Sequence, residues 1–432
     1  MTIKFSQDVN NVGGVNYTSG QTATLNAQTE YRLVGLNLAA WVGSPPYIQE
    51  PGIGGGNVNA VTGPNGEVSL QAGGEIIPAI QRGSTIGKSN QEPFLNHATS
   101  TYNFLGYDDV DGVAWINDAT GGLLRQGVTS DAWQTQGGVT WSSGKGFPAN
   151  VTYANVSKML RFNGKIYMLA LDGSDSLRKI WRCDPATGNT AFTWSGPLLA
   201  FAANATSLFT GFAADGNYIY ACEYTQQASF TPKVYRSADG VTWETIIDES
   251  VAGVVRHFHC IAPDPYNPGH VWLTCGDGIA KTVQRSTDYG TTWDVVIASS
   301  VWQAVEISFT QDHVYFAGDS QYGIVYRMDR NTLTARWVTP ALLKNIPVLN
   351  PAALTDSYYY NAWYGAVDPS TGDYYASAND ASAGGNTAGL FIVRPGQAPV
   401  LCKKFSEINS PVVIAGGVLW VGKYRKVLNS YA

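Results

Sequence analysis

Across residues 100–432, apolar and polar positions fall into short strand-sized runs broken by turns rich in Gly, Asn and Asp, with no sustained helical spacing. One order recurs: a short apolar run, a turn, then a second run with an aromatic at its centre. It is seen in NFLGYDDVDGVAWIND (103–118), MLRFNGKIYMLALDG (159–173), FTGFAADGNYIYACEY (209–224) and VVIAGGVLWVGKY (412–424), and in three further copies. The central aromatics are Trp115, Tyr167, Tyr220, Trp272, Tyr315, Tyr375 and Trp420, at intervals of 43 to 60 residues that average about 51. After each, the sequence has room for a third strand and a fourth. The fourth often opens at a tryptophan: Trp133, Trp194, Trp243, Trp293 and Trp337.

Seven such units predict an all-β fold, a seven-bladed β-propeller of four-stranded antiparallel blades. Blades buried on both faces suit strands that read as near-continuous apolar runs. The last unit is short, with room after Trp420 for a third strand (RKVLNSYA) but no fourth. Closure by a strand from upstream of residue 100 is therefore expected, supplied by GEVSLQAGGEIIPAIQ (66–81) or by the stretch just before NFLG. The chain divides into a small N-terminal attachment module (1–45), a Gly-rich connector and β arm (46–99), and the propeller (100–432).

Composition narrows the partners. The 432 residues include 47 Gly and 12% aromatics, and only 14% are charged, which fits a turn-rich β protein. A net charge of −6 leaves no basic footprint for nucleic acid. No apolar run is long enough to span a bilayer, and MTIKFSQDVNNVGG lacks the apolar stretch of a secretory signal, so synthesis in the cytoplasm is expected. The five scattered cysteines (Cys183, Cys222, Cys260, Cys275, Cys402) read as reduced thiols.

Two stretches share spaced Ser, Asp, Gly, Thr and Trp: RSADGVTW (236–243) and RSTDYGTTW (285–293). Both fall between third and fourth strands. The pattern S-x-D-x-G-x-T-W resembles the Asp-box, or BNR repeat, of sialidases, sortilin-type receptors and xyloglucan-cleaving propellers. The copy at 237–243 is one residue shorter, and TSDAW (129–133) is a degenerate third. Asp or Ser side chains accept backbone N–H groups in a tight turn, Gly supplies positive φ, and Trp fills space between sheets. Ser237, Asp239, Gly240, Thr242 and Trp243, with Ser286, Asp288, Gly290, Thr292 and Trp293, are therefore expected to be structural. The resemblance implies that they lie on the face opposite any ligand site.

Catalytic signals are weak. The resemblance would imply three arginines, a Tyr/Glu nucleophile pair and an Asp acid, with an early Phe/Tyr-Arg-Ile-Pro motif. That motif is absent, and VRHFHC does not substitute for it. His257 and His259 alternate on one strand without a third ligand, YDDVDG (107–112) fits a β-turn better than a calcium loop, and Glu306 has no evident carboxylate partner. No catalytic residue, metal or cofactor is expected, and the weight falls against an enzyme.

Propeller ligands are expected where the strand 2–3 loops and blade connections emerge. The sixth unit stands out there, with a long apolar entry (338–357), YYYNAWYG (358–365) and a small-residue loop (378–389). Tyr358, Tyr359, Tyr360, Trp363, Asn379 and Asp380 offer aromatic and amide groups suited to sugar rings. Arg256, His257 and Trp302, which begin neighbouring inner strands, are candidates for the same mouth.

Residues 15–42 read as strand, turn, strand, a short helix from Asn26 to about Val34, and an apolar strand. The pattern is similar to small modules of tailed-bacteriophage structural proteins. This resemblance implies a virion protein, of tail-fibre or receptor-binding type. It would dock to other virion subunits through its N-terminus, form a homo-oligomer (trimer favoured), and recognise host surface polysaccharide or lipopolysaccharide. Three other readings stay open: a structural tail or head decoration, a glycosidase or lyase on the same scaffold, and an Asp-box assembly factor that serves photosystems.

Overall fold

The computed structural model describes residues 103–117, 123–127, 134–135, 147–152, 155–184, 193–227, 229–249, 255–276, 283–298, 303–319, 325–333, 335–339, 360–361, 364–369, 371–380, 388–393, 400–405, 411–421 and 424–427, with short strands upstream between residues 2 and 96. These residues are all-β apart from a 3-10 turn at Phe209–Gly211. No helix among them is long and apolar enough to cross a membrane. The expected helix at Asn26, the TSDAW copy and most of 338–357 lie outside the described residues.

The chain forms two compact units. One holds residues 92–311, 363–371 and 408–432; the other holds residues 1–91, 312–362 and 372–407. In the first, four consecutive segments each fold into a four-stranded antiparallel sheet in simple sequence order. The first sheet comprises Asn103–Asp108, Val113–Asn117, Leu123–Gly127 and Gln134–Thr135. The second comprises Val156–Phe162, Lys165–Asp172, Leu177–Cys183 and Trp194–Ala200. The third has Phe212–Ala214, Ile219–Cys222, Lys233–Ser237 and Glu244–Asp248. The fourth has His257–Pro263, Val271–Gly276, Val283–Ser286 and Asp294–Ile297.

A fifth sheet joins Val412–Ala415, Val418–Val421 and Tyr424–Val427 to Leu95–Asn96. Leu95 pairs with Arg425, and Asn96 with Tyr424. Of the two stretches expected to complete the last sheet, the one before NFLG takes this place. Val68–Ala72 and Glu75–Pro78 instead form a three-stranded sheet with Asn59–Thr62 in the other unit.

First strands of successive sheets lie side by side: Asn103–Asp108 against Val156–Phe162, then Phe212–Ala214, His257–Pro263, Ala304–Phe309, Gly365–Val367 and Val412–Ala415. Strand alternation explains the packing between sheets. In Lys165–Asp172, Ile166, Met168 and Ala170 join Leu105 and Trp115 of the first sheet. The intervening Tyr167 and Leu169 join Phe212, Ile219 and Ala221 of the third. Tyr220, Cys222 and Val234 meet Phe258, Val271, Leu273 and Cys275 in the same way. The first sheet also packs on the last, with Phe104 stacked on Trp420 at 5.4 Å between centroids.

The other unit contains antiparallel strands His313–Gly318, Val325–Asp329 and Ala335–Thr339, and the set Tyr360–Asn361, Tyr374–Asp380, Ala388–Val393 and Val400–Phe405. It also contains Thr2–Phe5 between Thr22–Thr24 and Ala39–Trp41, and the hairpin Val9–Val12 with Val15–Tyr17. All seven second-run aromatics occupy strands paired to both neighbours, and none is more than 8% exposed.

Candidate functional site

The Asp-bearing turns join third to fourth strands, as their sequence position predicts. Asp239 Oδ1 accepts from the amides of Val241 and Thr242, each at 2.7 Å, and from Ser237 Oγ at 2.9 Å. Its Oδ2 accepts from Thr242 Oγ1 at 3.0 Å, and Ser237 Oγ takes the Gly240 amide at 2.8 Å. These donors hold the Asp239 carboxyl well below the usual carboxylate range. Asp288 repeats the arrangement with Ser286, Thr292 and the Gly290 amide, and its carboxyl is lowered to about 2. The extra residue of the longer copy is absorbed by Tyr289 at φ 59°, directly before Gly290 at φ 92°.

Each turn is also a socket for the preceding sheet. The Tyr167 hydroxyl donates to Asp239 O at 3.5 Å, and the Tyr220 hydroxyl to Tyr289 O at 3.4 Å. Arg236 Nη1 donates to the same Tyr289 carbonyl at 2.6 Å while its Nε binds Glu244 at 2.7 Å. Trp243 and Trp293 pack against the inter-sheet cores beside their turns. The carboxylates are saturated by local donors, so their geometry accounts for turn structure and leaves them no evident proton to move.

The opposite end of the third strands has different contents. His257 and His259 share one side of their strand, with centroids 4.7 Å apart, and Tyr224 stacks on His257 at 4.2 Å. Both imidazoles are about 1% exposed. Nδ1 of His257 contacts Thr225 O, and Nδ1 of His259 lies 2.9 Å from Ala304 O. Among the described residues no group of three metal-ligating side chains is assembled. Arg256 Nη2 donates to the Gln226 carbonyl. Arg256 and His257 thus emerge beside Tyr224, which sequence reasoning did not single out.

Tyr360 pairs with Asp380, and Asn361 with Asn379, so Tyr360, Asn379 and Asp380 come together on adjacent backbones in the other unit. Residues 378–380, expected in a loop, instead extend strand Tyr374–Asp380, because the ladder with Ala388–Val393 runs on to Asn379 and Ala388. Tyr358, Tyr359, Trp363 and Trp302 lie outside the described residues.

Arg178, at the start of the second sheet's third strand, was also missed. Its Nε donates to Thr206 Oγ1 at 3.2 Å, and its Nη1 to Asn155 O at 3.0 Å and Ser157 Oγ at 2.8 Å. All three acceptors are neutral. Burial lowers its basicity, and no carboxylate among the described residues offsets it.

Further inside, Lys158 and Glu306 sit on first strands and attract one another, each enclosed by protein yet partly solvent-reached. Burial pushes the Lys158 ammonium down and the Glu306 carboxyl up. Lys158 Nζ lies 4.4 Å from the Phe209 ring centroid. At YDDVDG, Asp108 caps its own β-turn through the Val110 amide at 3.1 Å and pairs with Arg161 of the next sheet.

No family model and no curated protein matches the sequence. Among solved structures, the chain is similar to the Niastella koreensis GH74 enzyme, at 17% identity and TM-score 0.48, over 71% of this chain and 46% of that one. It thus spans less than half the length of that enzyme. It is similar to BamB from Moraxella catarrhalis at 11% identity and TM-score 0.40, over 83% of this chain and 84% of that one. A third similarity is to YCF48 bound to D1 peptide, at 11% identity and TM-score 0.47, over 81% of this chain and 99% of that one. All three are β-propeller proteins.

Proposed function

We propose that this chain is a bacteriophage receptor-binding or tail-fibre protein whose seven-bladed, Asp-box-type propeller reads a glycan on the host surface. The side-by-side order of seven first strands and the Phe104–Trp420 stack between first and last sheets support the ring. Leu95–Asn96 would be its closing strand, with the N-terminal module docking to other virion subunits in a trimer. The carrying observation is an asymmetry along the third strands. At one end, aspartates are saturated by their own turns; at the other, Arg178, Arg256 and the Tyr224–His257 stack gather from strand entries and 2–3 connections. Aromatic faces beside fixed hydrogen-bond donors suit a saccharide.

A hydrolase is less well supported. Two carboxylates at this end are committed: Glu223 accepts from the amides of Ala202 and Lys233 and from the Tyr235 hydroxyl, and Asp172 from Ser174 and Lys179. Glycoside hydrolysis needs two carboxyl groups about 5–10 Å apart across the substrate. Incubating the full chain with bacterial cells and their purified surface polysaccharides tests the reading. Co-sedimentation without release of reducing ends is the expected result. Fragment release would establish an enzyme, and failure to bind any cell or polysaccharide would leave a structural role.

A further inference from the structure

Five cations of the second and third sheets are held in ion pairs. Arg161 binds Asp108 and Asp111, Lys179 binds Asp172 and Asp175, Lys165 binds Asp184, Lys233 binds Asp248, and Arg236 binds Glu244. Arg178 has no ion pair among the described residues. It is only partly exposed, and three of its five N–H groups are spent on neutral oxygens of Thr206, Asn155 and Ser157. Its Nη2 makes no hydrogen bond to the described residues and is not among the buried polar atoms left without a partner. Holding a guanidinium out of bulk water without a counter-charge is costly, whereas a carboxylate would match its fork geometry. Three neutral contacts orient the group, and no carboxylate among the described residues meets its charge.

The neighbourhood says what that something carries. Thr206, which receives Arg178 Nε, is bridged to Tyr224 by backbone bonds in both directions, at 2.7 and 2.8 Å. Residues directly opposite in an antiparallel pair project to the same face with Cβ atoms about 5 Å apart. The Thr206 hydroxyl and the Tyr224 side chain therefore project to one face, and the guanidinium reaches that face through its bond to Thr206. Tyr224 is partly exposed and is backed by His257 at 4.2 Å. A fixed cation beside a braced, accessible aromatic ring matches a sugar residue that bears an anionic group.

We propose that Arg178, oriented by Asn155, Ser157 and Thr206, and Tyr224, braced by His257, form a subsite for an acidic sugar residue, with its anionic group on Arg178 Nη2 and its ring against Tyr224. The proposal rests on the glycan-binding reading and names the class of glycan. A uronate carboxylate, a sulfate ester or a phosphate ester would present the same oxyanion chemistry.

The test titrates the full chain with matched oligosaccharides by calorimetry: a neutral oligomer, its uronic-acid counterpart, and sulfated and phosphorylated forms. Wild-type protein should bind at least one acidic form ten-fold or more tightly than the neutral one, and rising salt should weaken that binding; which form prevails identifies the oxyanion. Arg178→Gln should remove the preference while leaving neutral-sugar affinity within about two-fold. Tyr224→Ala should weaken acidic and neutral forms together. Far-UV circular dichroism and melting confirm that each variant is folded. Should Arg178→Gln fail to fold, the matched neutral and acidic comparison on wild-type protein decides alone. Equal affinity for neutral and acidic forms, or a preference that survives Arg178→Gln, overturns the subsite but leaves glycan recognition standing. Absence of binding to every oligosaccharide, together with absence of binding to cells, overturns both.

Discussion

Gly240→Ala isolates the contact by which one sheet keys into the next. Gly240 has φ 71°, and a Cβ there would lie 1.9 Å from the Tyr167 hydroxyl oxygen, 2.4 Å from Cζ and 2.8 Å from Cε1. Gly164 provides the control: its φ is also 71°, and nothing lies within 4 Å of its added Cβ. Alanine at Gly164 should therefore pay only the left-handed backbone term, about 1–2 kcal/mol. At Gly240 the same term is joined by displacement of a fully buried tyrosine, with overpacking worth about 1–3 kcal/mol more. Urea unfolding at unchanged m-value should show the Gly240→Ala midpoint falling roughly twice as far as that of Gly164→Ala. Tyr167→Phe removes the nearest clashing atom, so the double variant should be more stable than the two single losses predict. Equal midpoint shifts at the two glycines, or strict additivity with Tyr167→Phe, would refute the view that the Asp-bearing turn is a socket for Tyr167.

Acid should act through the depressed aspartates. Asp172 and Asp288 ionise at about 2 in the fold against an ordinary 3.8, so their stabilisation is present above pH 4 and is lost as pH falls through 2. Asp172, only 7% exposed, contributes about 2 kcal/mol and the more open Asp288 less. Thermal melts from pH 6 to pH 2 should show this slope, and Asp172→Asn should flatten it. At the inner strands, Lys158→Met removes the attraction that helps Glu306 ionise, so that variant should lose stability as pH rises above the normal glutamate range near 4.5. Glu306→Gln in the same background should restore a flat profile, read from melting temperatures across pH 4–9. Burial raises the Cys183 thiol to about 12 and pushes Cys222 and Cys260 up as well, whereas Cys402 is partly exposed. A thiol reagent on native protein should therefore modify Cys402 first, as read by peptide mass mapping.

The strand scaffold was legible because it rests on local pattern. Trp115, Tyr167, Tyr220 and Trp272 mark second strands since a large side chain must fill the same inter-sheet gap in each copy. The Asp turns were legible because their hydrogen bonds close within a few residues. What stayed hidden depends on cross-strand register. The second-strand aromatics lie opposite an arginine in six sheets: Trp115 with Arg125, Tyr167 with Arg182, Tyr220 with Arg236, Trp272 with Arg285, Tyr315 with Arg327 and Trp420 with Arg425. The spacing within each pair ranges from 5 to 16 residues, because the connecting loops differ, so no fixed interval exposes it. Glu306 was noticed without its partner because Lys158 belongs to a strand three sheets earlier. Tyr224 escaped because it follows its strand in an irregular stretch, tied only by the bridge to Thr206.

Arg178 and Arg236 show how position within one strand type assigns different work. Arg236 lies near the end of its third strand, against the next sheet's turn. There Glu244, the Tyr289 carbonyl and the Tyr218 ring consume its charge and donors. Arg178 lies at the start of its strand, where 2–3 connections and strand entries meet, and its contacts are oxygens of Thr206, Asn155 and Ser157. Asp172 and Asp175 are close in sequence, yet both turn to Lys179. Strand alternation enforces that division: Lys179 and Arg178 are consecutive and face opposite sides, so one set of carboxylates can neutralise only one of them. Packing alone could have placed an uncharged side chain at 178, because the Thr206 hydroxyl, the Asn155 carbonyl and the Ser157 hydroxyl are as well served by a neutral donor. A guanidinium held there adds one thing such a donor lacks, an oriented positive charge at the end of the sheets opposite the Asp-bearing turns.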